Sequence, residues 1–435
     1  MKTSFKKIIT YIIRAEAQLV IRKYKPKIIA ITGSLGKTST KDAVYAVLSK
    51  IAYVRKSEKS FNSEIGLPLT ILGCPNGWSN PLAWLSNILK GLWLFVGPHK
   101  YPEWLVLEVG GGKPDDIKKT ASWLSTDAVI ITAIGETPPH IEFFNSHKHL
   151  VEEKSQLIKT LKPDGILVLN ADDKIVLEMK TKTKCRIITY GFMEGADILG
   201  SDDKIFFNDK NIPEGIIFRV DDKGSSFPVV IEGVFGRNHI YASLAALALS
   251  SGLKFNMLDA TNSLKNYDVP PGRMRLLDGI EESFIIDDTY NSSPFACESA
   301  LKTLGEIKWD GRKVAVLGDM LELGRHTIEA HKNIGKIAKE NLGRKEDILM
   351  VVGQRAKAIK EGAISAGMYG ENVFEFLDSY EAGDFIKTFI KNGDMILVKG
   401  SQGVRMERVV EAILLDQKNK RKLLVRQDDE WKDKK

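Results

Sequence analysis

Gly33-Ser34-Leu35-Gly36-Lys37-Thr38-Ser39 follows an apolar run, Lys27–Thr32, and precedes a stretch with helical spacing. Glycines in such a loop let backbone N–H groups approach anionic oxygens, and a helix N-terminus adds the positive end of its dipole. A lysine there neutralises terminal phosphates, and a threonine hydroxyl can ligate Mg²⁺. Strand, loop, helix and Lys-Thr pair together point to nucleotide binding, with Gly33, Ser34, Gly36, Lys37, Thr38 and Ser39 as the cradle. The Gly-x-x-Gly-Lys-Thr spacing is two residues shorter than the common Walker form, so the competing reading is a glycine turn with an exposed lysine at an ordinary helix start.

Other residues could complete such a site. Glu108 ends an apolar run just before Gly110-Gly111-Gly112, where a strand meets the crevice of an open sheet, and a hard carboxylate there suits Mg²⁺. His140 follows a Gly-Glu-Thr-Pro-Pro loop, with His147 and His149 close by; a lone histidine in such a place is as readily a surface or capping residue. Lys154 sits in Glu152-Glu-Lys-Ser-Gln156, and its plain reading is a solvated helix face with acids alongside. Cys74, Cys185 and Cys297 have no CxxC spacing, which excludes a disulfide framework or a cysteine zinc site and suits a reducing cytoplasm.

The elements that must position these residues alternate. Apolar runs at 105–109 and 127–134 interleave with helical patterns such as 150–161, as in a doubly wound α/β domain with a mostly parallel sheet. Residues 185–232 carry short β-like runs with Gly, Asp and Asn turns, an antiparallel appendage before the helical stretch 240–249. Pro270-Pro271-Gly272 reads as a hinge. Beyond it strands and helices alternate again as a second, Rossmann-like α/β domain. The expected division is a basic amphipathic segment over 1–26, a central P-loop ATPase domain over 27–269, a C-terminal domain over 270–417 and a charged tail over 418–435.

The 435 residues are 43% hydrophobic and 27% charged, which excludes a disordered chain and a disulfide-stapled miniprotein. The net charge of +7 is not evenly spread: residues 1–27 carry +7 and residues 418–435 carry +4, which leaves the body between them at −4. A mildly acidic body argues against a nucleic-acid partner. The basic front end has Ile and Leu opposite its cations, which suits either peripheral contact of residues 1–26 with an anionic membrane surface or packing on the domain's own flank. Arg14 and Glu16 interrupt its apolar run, so it is neither a signal peptide nor a spanning helix. The most apolar stretch, 82–96, contains Lys90 and is too short to cross a bilayer unaided. Trp78, Trp84, Trp93, Phe95 and Trp104 around it suggest a packed helix pair, or else lipid or acceptor contact.

Thr32-Gly-Ser-Leu-Gly-Lys-Thr-Ser-Thr40 resembles the ATP loop of the Mur ligases, which build the peptide stem of bacterial cell-wall precursors. So do Phe61-Asn-Ser-Glu-Ile-Gly-Leu-Pro-Leu69, Leu107-Glu-Val-Gly110, Asp287-Asp-Thr-Tyr-Asn-Ser-Ser-Pro294, Leu317-Gly-Asp-Met-Leu-Glu-Leu-Gly324, Val398-Lys-Gly-Ser401 and Arg405-Met-Glu407, in consistent order from about residue 28 to about 415. Several of these strings point to the branch that joins D-alanyl-D-alanine to a muramyl peptide. The resemblance implies ATP and two Mg²⁺ sites, formed by Thr38, Glu108, His140 and a carbamylated Lys154, with Lys37, His140, Lys154 and Arg273 catalytic. It implies that Arg273 and Asp288 serve the nucleotide. Asn62, Tyr290, Asn291 and Lys399 are candidates for the acceptor side. The family's His-Asn pair for adenine reads Asn238-His239 here, reversed, so either could make that contact; Lys113-Pro-Asp-Asp116 is a smaller departure. The family's N-terminal UDP-sugar domain has no room ahead of residue 33, and the basic segment stands in its place. The expected partners are a muramyl-peptide acceptor and a D-Ala-D-Ala-like amine. The rival readings are a Mur-like ligase with a different acceptor or amine, and a membrane-docked P-loop nucleotide switch.

Overall fold

The computed structural model describes residues 3–58, 61–78, 80–136, 141–428 and 431, with side chains from residue 7 onward. The chain begins with α1 (Thr3–Tyr24), then β1 (Lys27–Thr32), α2 (Lys37–Leu48), β2 (Val54–Lys56), α3 (Gly66–Leu72) and α4 (Pro81–Val96). Next come β3 (Trp104–Glu108), α5 (Asp116–Ala121), β4 (Thr126–Ile131), α6 (His147–Ser155), β5 (Leu161–Asn170), α7 (Lys174–Glu178) and β6 (Arg186–Gly191). β7 (Ile198–Phe207), β8 (Pro213–Asp222), β9 (Ser225–Glu232) and α8 (Arg237–Gly252) follow. These strands form one nine-stranded sheet in the order β2-β3-β1-β4-β5-β6-β7-β8-β9.

β1 pairs in parallel with β3 on one side and β4 on the other, so the chain reverses its direction of winding beside β1. The crevice at such a reversal, beyond the strands' carboxyl ends, is where open α/β sheets bind ligands. β1, β3 and β4 are almost wholly buried apolar runs, as strands covered on both faces must be. The expected antiparallel segment continues this sheet rather than standing apart. Lys223 (φ 49°) and Gly224 (φ 82°) make a two-residue turn between β8 and β9, the connection that only antiparallel neighbours can use. The helix expected through Leu161 ends earlier, at Ser155, and a 3₁₀ turn runs to Thr160. Pro163 biases Lys162 toward extended backbone, and the Thr160 hydroxyl meets that of Thr126 at 2.8 Å, which starts β5.

The second sheet comprises β10 (Arg275–Asp278), β11 (Phe284–Asp288), β12 (Lys313–Gly318), β13 (Ile348–Val352), β14 (Val373–Phe376) and β15 (Met395–Lys399). Its order is β10-β11-β15-β12-β13-β14, with β10 antiparallel and the remainder parallel. Two compact units result: residues 1–202, 218–229 and 238–268, and residues 203–217, 230–237 and 269–435. Part of the charged end packs on the second unit: Leu424 is buried in its core.

Helix α1 likewise contributes to a core. Ile9, Ile13, Ala17 and Val20 of α1 are buried in the apolar cluster of the first unit, together with Trp84 and Leu94 of α4. Of the two uses the sequence left open for this segment, packing on the domain's own flank is the one these four residues serve. Glu16 lies on that buried face; a Cβ on Gly91 of α4 would come within 2.2 Å of its Oε2, so the glycine leaves space for the carboxylate where it sits. Both Glu16 carboxylate oxygens are buried without a hydrogen-bond partner among the described residues. Burial pushes its pKa up to about 7, from an ordinary 4.5. Between those values the folded chain holds a proton that the unfolded chain releases, so stability falls with rising pH until about 7. Glu16→Gln should therefore raise the melting temperature at pH 8, and its advantage should vanish by about pH 4.5. Thermal unfolding across that range checks this, and an advantage independent of pH would assign the effect to packing.

Candidate active site

The turn after β1 is shaped for close approach. Gly33 adopts φ 147°, where a Cβ would lie 2.0 Å from the Thr132 hydroxyl, and Gly36 (φ 79°) opens α2 in the left-handed region. The Ser34 and Leu35 N–H groups bond the Ala133 carbonyl, at 2.7 and 3.1 Å, so the loop leans on the end of β4. Lys37 Nζ folds back over its own loop, onto the carbonyls of Gly33 (3.0 Å) and Ser34 (3.2 Å). The Ser34 hydroxyl is buried without a hydrogen-bond partner among the described residues, while Ser39 is buried in the first turn of α2. An oxyanion in the cradle would satisfy that hydroxyl.

Glu108 is 2% exposed at the end of β3, and both of its oxygens are held. Thr38 Oγ1 donates to Oε2 and Asn62 Nδ2 to Oε1, each at 3.0 Å. Asn62, an acceptor-side candidate in the sequence, is thus placed on the metal-binding candidate Glu108. A hydroxyl and a carboxylate within hydrogen-bond distance form a hard oxygen pair of the kind Mg²⁺ selects, so these residues fit that ion.

Lys154 is not on a solvated helix face. It is 4% exposed, and its Nζ makes one long contact, 3.5 Å, to the Gly111 carbonyl. Its neighbour Glu153 is committed elsewhere: Oε1 accepts the N–H groups of Ile117 (2.6 Å) and Lys118 (3.3 Å) at the start of α5. Burial, with the charge of Lys37 added, lowers the Lys154 pKa to about 7. His140 lies outside the described residues. The backbone leading toward it is anchored by Asp173 Oδ2, which accepts from Ile134 N (2.8 Å) and Gly135 N (3.1 Å), and His147 Nε2 meets the Gly135 carbonyl at 2.8 Å. Sequence reasoning missed Asp173; its one local signal is the cap it also provides for α7. His239 is 1% exposed and bonds the Tyr267 hydroxyl at 3.1 Å, a core histidine. Asn238, the other candidate for the base contact, is half-buried in the first turn of α8.

In the second unit, Asp288 and Lys399 are register partners on β11 and β15 and form a buried ion pair of 2.5 Å. Lys399 also donates to the Asn291 carbonyl at 3.0 Å, so it is held by Asp288 and Asn291 rather than presented to solvent. The Arg273 guanidinium lies 3.8 Å from the centre of the Tyr290 ring. Asp287 ties the glycine turn to this loop, accepting from Gly272 N (3.0 Å) and the Thr289 hydroxyl (2.6 Å); burial pushes its pKa up to about 6 against those bonds. Arg426, from the charged end, donates to the carbonyls of Thr289 and Tyr290 and to Glu407 Oε2. Glu407 is fully buried and also takes Arg405 Nε at 2.5 Å. The structure thus collects Gly33, Ser34, Gly36, Lys37, Thr38, Ser39, Asn62, Glu108 and Lys154 in the first unit. It gathers Arg273, Asp288, Tyr290, Asn291 and Lys399 in the second.

A glycine loop at a sheet reversal, a buried carboxylate beside its threonine and a second doubly wound sheet define a P-loop nucleotide-binding protein with an appended α/β domain. Residues 31–250 match the Mur ligase middle domain and residues 272–402 the Mur ligase glutamate ligase domain. The chain belongs to the Mur ligase family. The UDP-N-acetylmuramoyl-tripeptide--D-alanyl-D-alanine ligase of Bacillus subtilis (strain 168) is 28% identical over 399 residues, 92% of this chain and 78% of that protein. The enzyme of the same name from Escherichia coli (strain K12) is 27% identical over 396 residues, 90% of this chain and 78% of its own length. The structure of MurF ligase from Thermotoga maritima in complex with ADP superposes with a TM-score of 0.74 at 25% identity, covering 95% of this chain and 84% of that one.

Two substitutions test the geometry. Gly33→Ala forces a Cβ onto Thr132 in a backbone conformation that side chains avoid; it should cost about 1–3 kcal/mol in denaturant unfolding and abolish nucleotide binding by calorimetry. Arg426→Ala leaves the buried Glu407 with Arg405 alone and should cost roughly 3 kcal/mol. An unchanged unfolding midpoint would show that the C-terminal residues are not part of the core.

Proposed function

We propose that the chain is an ATP- and Mg²⁺-dependent amide ligase that joins D-alanyl-D-alanine to the free carboxylate of a UDP-muramyl-tripeptide. A carboxylate is a poor acyl donor because its leaving group would be oxide. Attack of the carboxylate oxygen on the γ-phosphorus of ATP releases ADP and leaves an acyl phosphate. The amine of the dipeptide then attacks the acyl carbon, phosphate leaves, and the nitrogen gives up its proton to form the amide. Anionic groups crowd together in the first step, so cationic groups aimed at the phosphates carry much of the catalysis.

The residues suit these roles. The N–H groups of the loop from Gly33 to Ser39 cradle the phosphates, and Lys37 turns from its own carbonyls to the terminal phosphate. Thr38 and Glu108 hold Mg²⁺, with Asn62 orienting the Glu108 carboxylate; His140 and Lys154, the latter as a carbamate, hold a second. Bound there, the ions neutralise charge on the transferring phosphoryl group. Arg273 and Asp288 from the second unit serve the nucleotide, and Asn238 serves its base. Tyr290, Asn291 and Lys399 shape the acceptor side, with Lys399 acting through Asp288 and Asn291. Cys74, Cys185 and Cys297 are all free thiols, in keeping with a reducing cytoplasm.

Lys154 is the observation that carries this reading. A buried amine lowered to about 7, with its adjacent glutamate engaged by α5, is set up to react with CO₂ near neutral pH. A P-loop switch has no use for such a group. ADP release should depend strictly on both UDP-muramyl-tripeptide and D-Ala-D-Ala; release indifferent to either would sink the assignment. With ¹³C-bicarbonate, the protein should show a carbamate carbon resonance that Lys154→Ala removes, together with activity that bicarbonate does not restore. A fully active Lys154→Ala enzyme would refute the carbamate.

A further inference from the structure

α4 is apolar on both of its faces, and only one face has a protein partner. Trp84, Asn87, Gly91 and Leu94 turn inward. Leu82, Leu85, Leu89, Leu92, Trp93 and Val96, at helical spacing on the other side, are exposed, Leu82 by 76%, Trp93 by 61% and Val96 by 82%. A continuous stripe of this size is more than the scattered apolar residues that every protein surface carries.

Two further features say what covers it. The first is charge. Residues 73–102 contain Lys90 and Lys100 and no Asp or Glu, and the adjoining α1 carries one carboxylate, Glu16, which is buried. Lys7, Arg22, Lys25, Lys90 and Lys100 are exposed on these elements and the residues that flank them. A protein partner would need its own anionic surface to match; an anionic bilayer supplies that charge and an apolar interior together. The second is the state of the helix ends. Asn80 Oδ1 accepts from Leu82 N (2.9 Å) and Ala83 N (3.3 Å), and Pro81 lacks an N–H. At the other end Lys23 Nζ reaches the carbonyls of Leu94 (3.1 Å), Phe95 (2.7 Å) and Gly97, the Tyr24 hydroxyl reaches Leu94, and His99 Nε2 meets the Trp93 carbonyl at 2.9 Å. Backbone groups that approach hydrocarbon are best satisfied internally, as those of Leu82, Ala83, Trp93, Leu94 and Phe95 are. No described helix is long and apolar enough to cross a membrane, so the contact is peripheral.

We infer that the outward face of α4, framed by the cations of α1 and of the residues beside α4, docks on an anionic phospholipid surface. This stands on α1 and α4 alone and does not depend on the ligase reaction. The full chain should float with phosphatidylcholine vesicles containing about 30% phosphatidylglycerol, less with phosphatidylcholine alone, and less again in high salt. Leu85→Ser/Leu89→Ser/Trp93→Ser should weaken partitioning at least tenfold, since each loses a buried apolar side chain, while leaving the melting temperature and ATP consumption unchanged. Trp93 emission should shift to the blue on addition of the anionic vesicles. Absence of flotation, or flotation untouched by the triple substitution, would overturn the inference. So would a dimer in sedimentation analysis that the triple substitution turns to monomer, because the stripe would then belong to a second copy.

Discussion

A carboxylate that is almost wholly out of water has to be bonded, and the bonds that Glu108 makes hold the nucleotide-binding crevice together. Its backbone lies in register with Ile31 on β1, and its own N–H donates to the Ser57 hydroxyl oxygen at 3.2 Å. Thr38 brings the first turn of α2 to one oxygen, and Asn62 brings the segment before α3 to the other. Two stretches of chain converge on one side chain. The glycine loop between β1 and α2 has little freedom left once those ends are pinned, and it can present N–H groups to phosphate without first ordering itself.

Two buried lysines show how a partner decides what a charge does. Lys399 is 2% exposed and meets Asp288 at 2.5 Å, so its ammonium is compensated and it holds β11, β15 and the Asn291 carbonyl in place. Lys154 is about as buried, but the nearest acid in sequence, Glu153, caps α5. With Lys37 adding like charge, burial holds its pKa down to about 7. Glu16 is the acidic counterpart: buried against Gly91 with no hydrogen bond among the described residues, it holds its proton toward neutral pH. With it protonated, the charges that remain on α1 and α4 are positive.

Much of the fold was legible because buried parallel strands are short apolar runs and glycine loops interrupt them. β1, β3 and β12 read directly in this way, and the Lys-Thr pair after β1 could be placed at a helix start. The site was legible only where one local string carried all of its parts. Asn62 lies 46 residues from Glu108, Asp173 lies 39 from Ile134 and Arg426 lies 137 from Thr289. Hydrogen bonds across such separations leave no periodicity or spacing behind. The bond between His239 and the Tyr267 hydroxyl, 28 residues on, is of the same kind.

From composition and local pattern alone, the chain was an α/β protein with a phosphate loop, an acidic body and basic ends, because those properties belong to neighbouring residues and to sums over them. Only the tertiary structure decided that Ile9, Ile13, Ala17 and Val20 of α1 enter the core, that the carboxylate of Glu153 is engaged by α5, and that the stripe on α4 is exposed among the described residues. Burial and partnership are properties of what packs against a residue. The segments that pack are far apart in the chain, and folding alone brings them together.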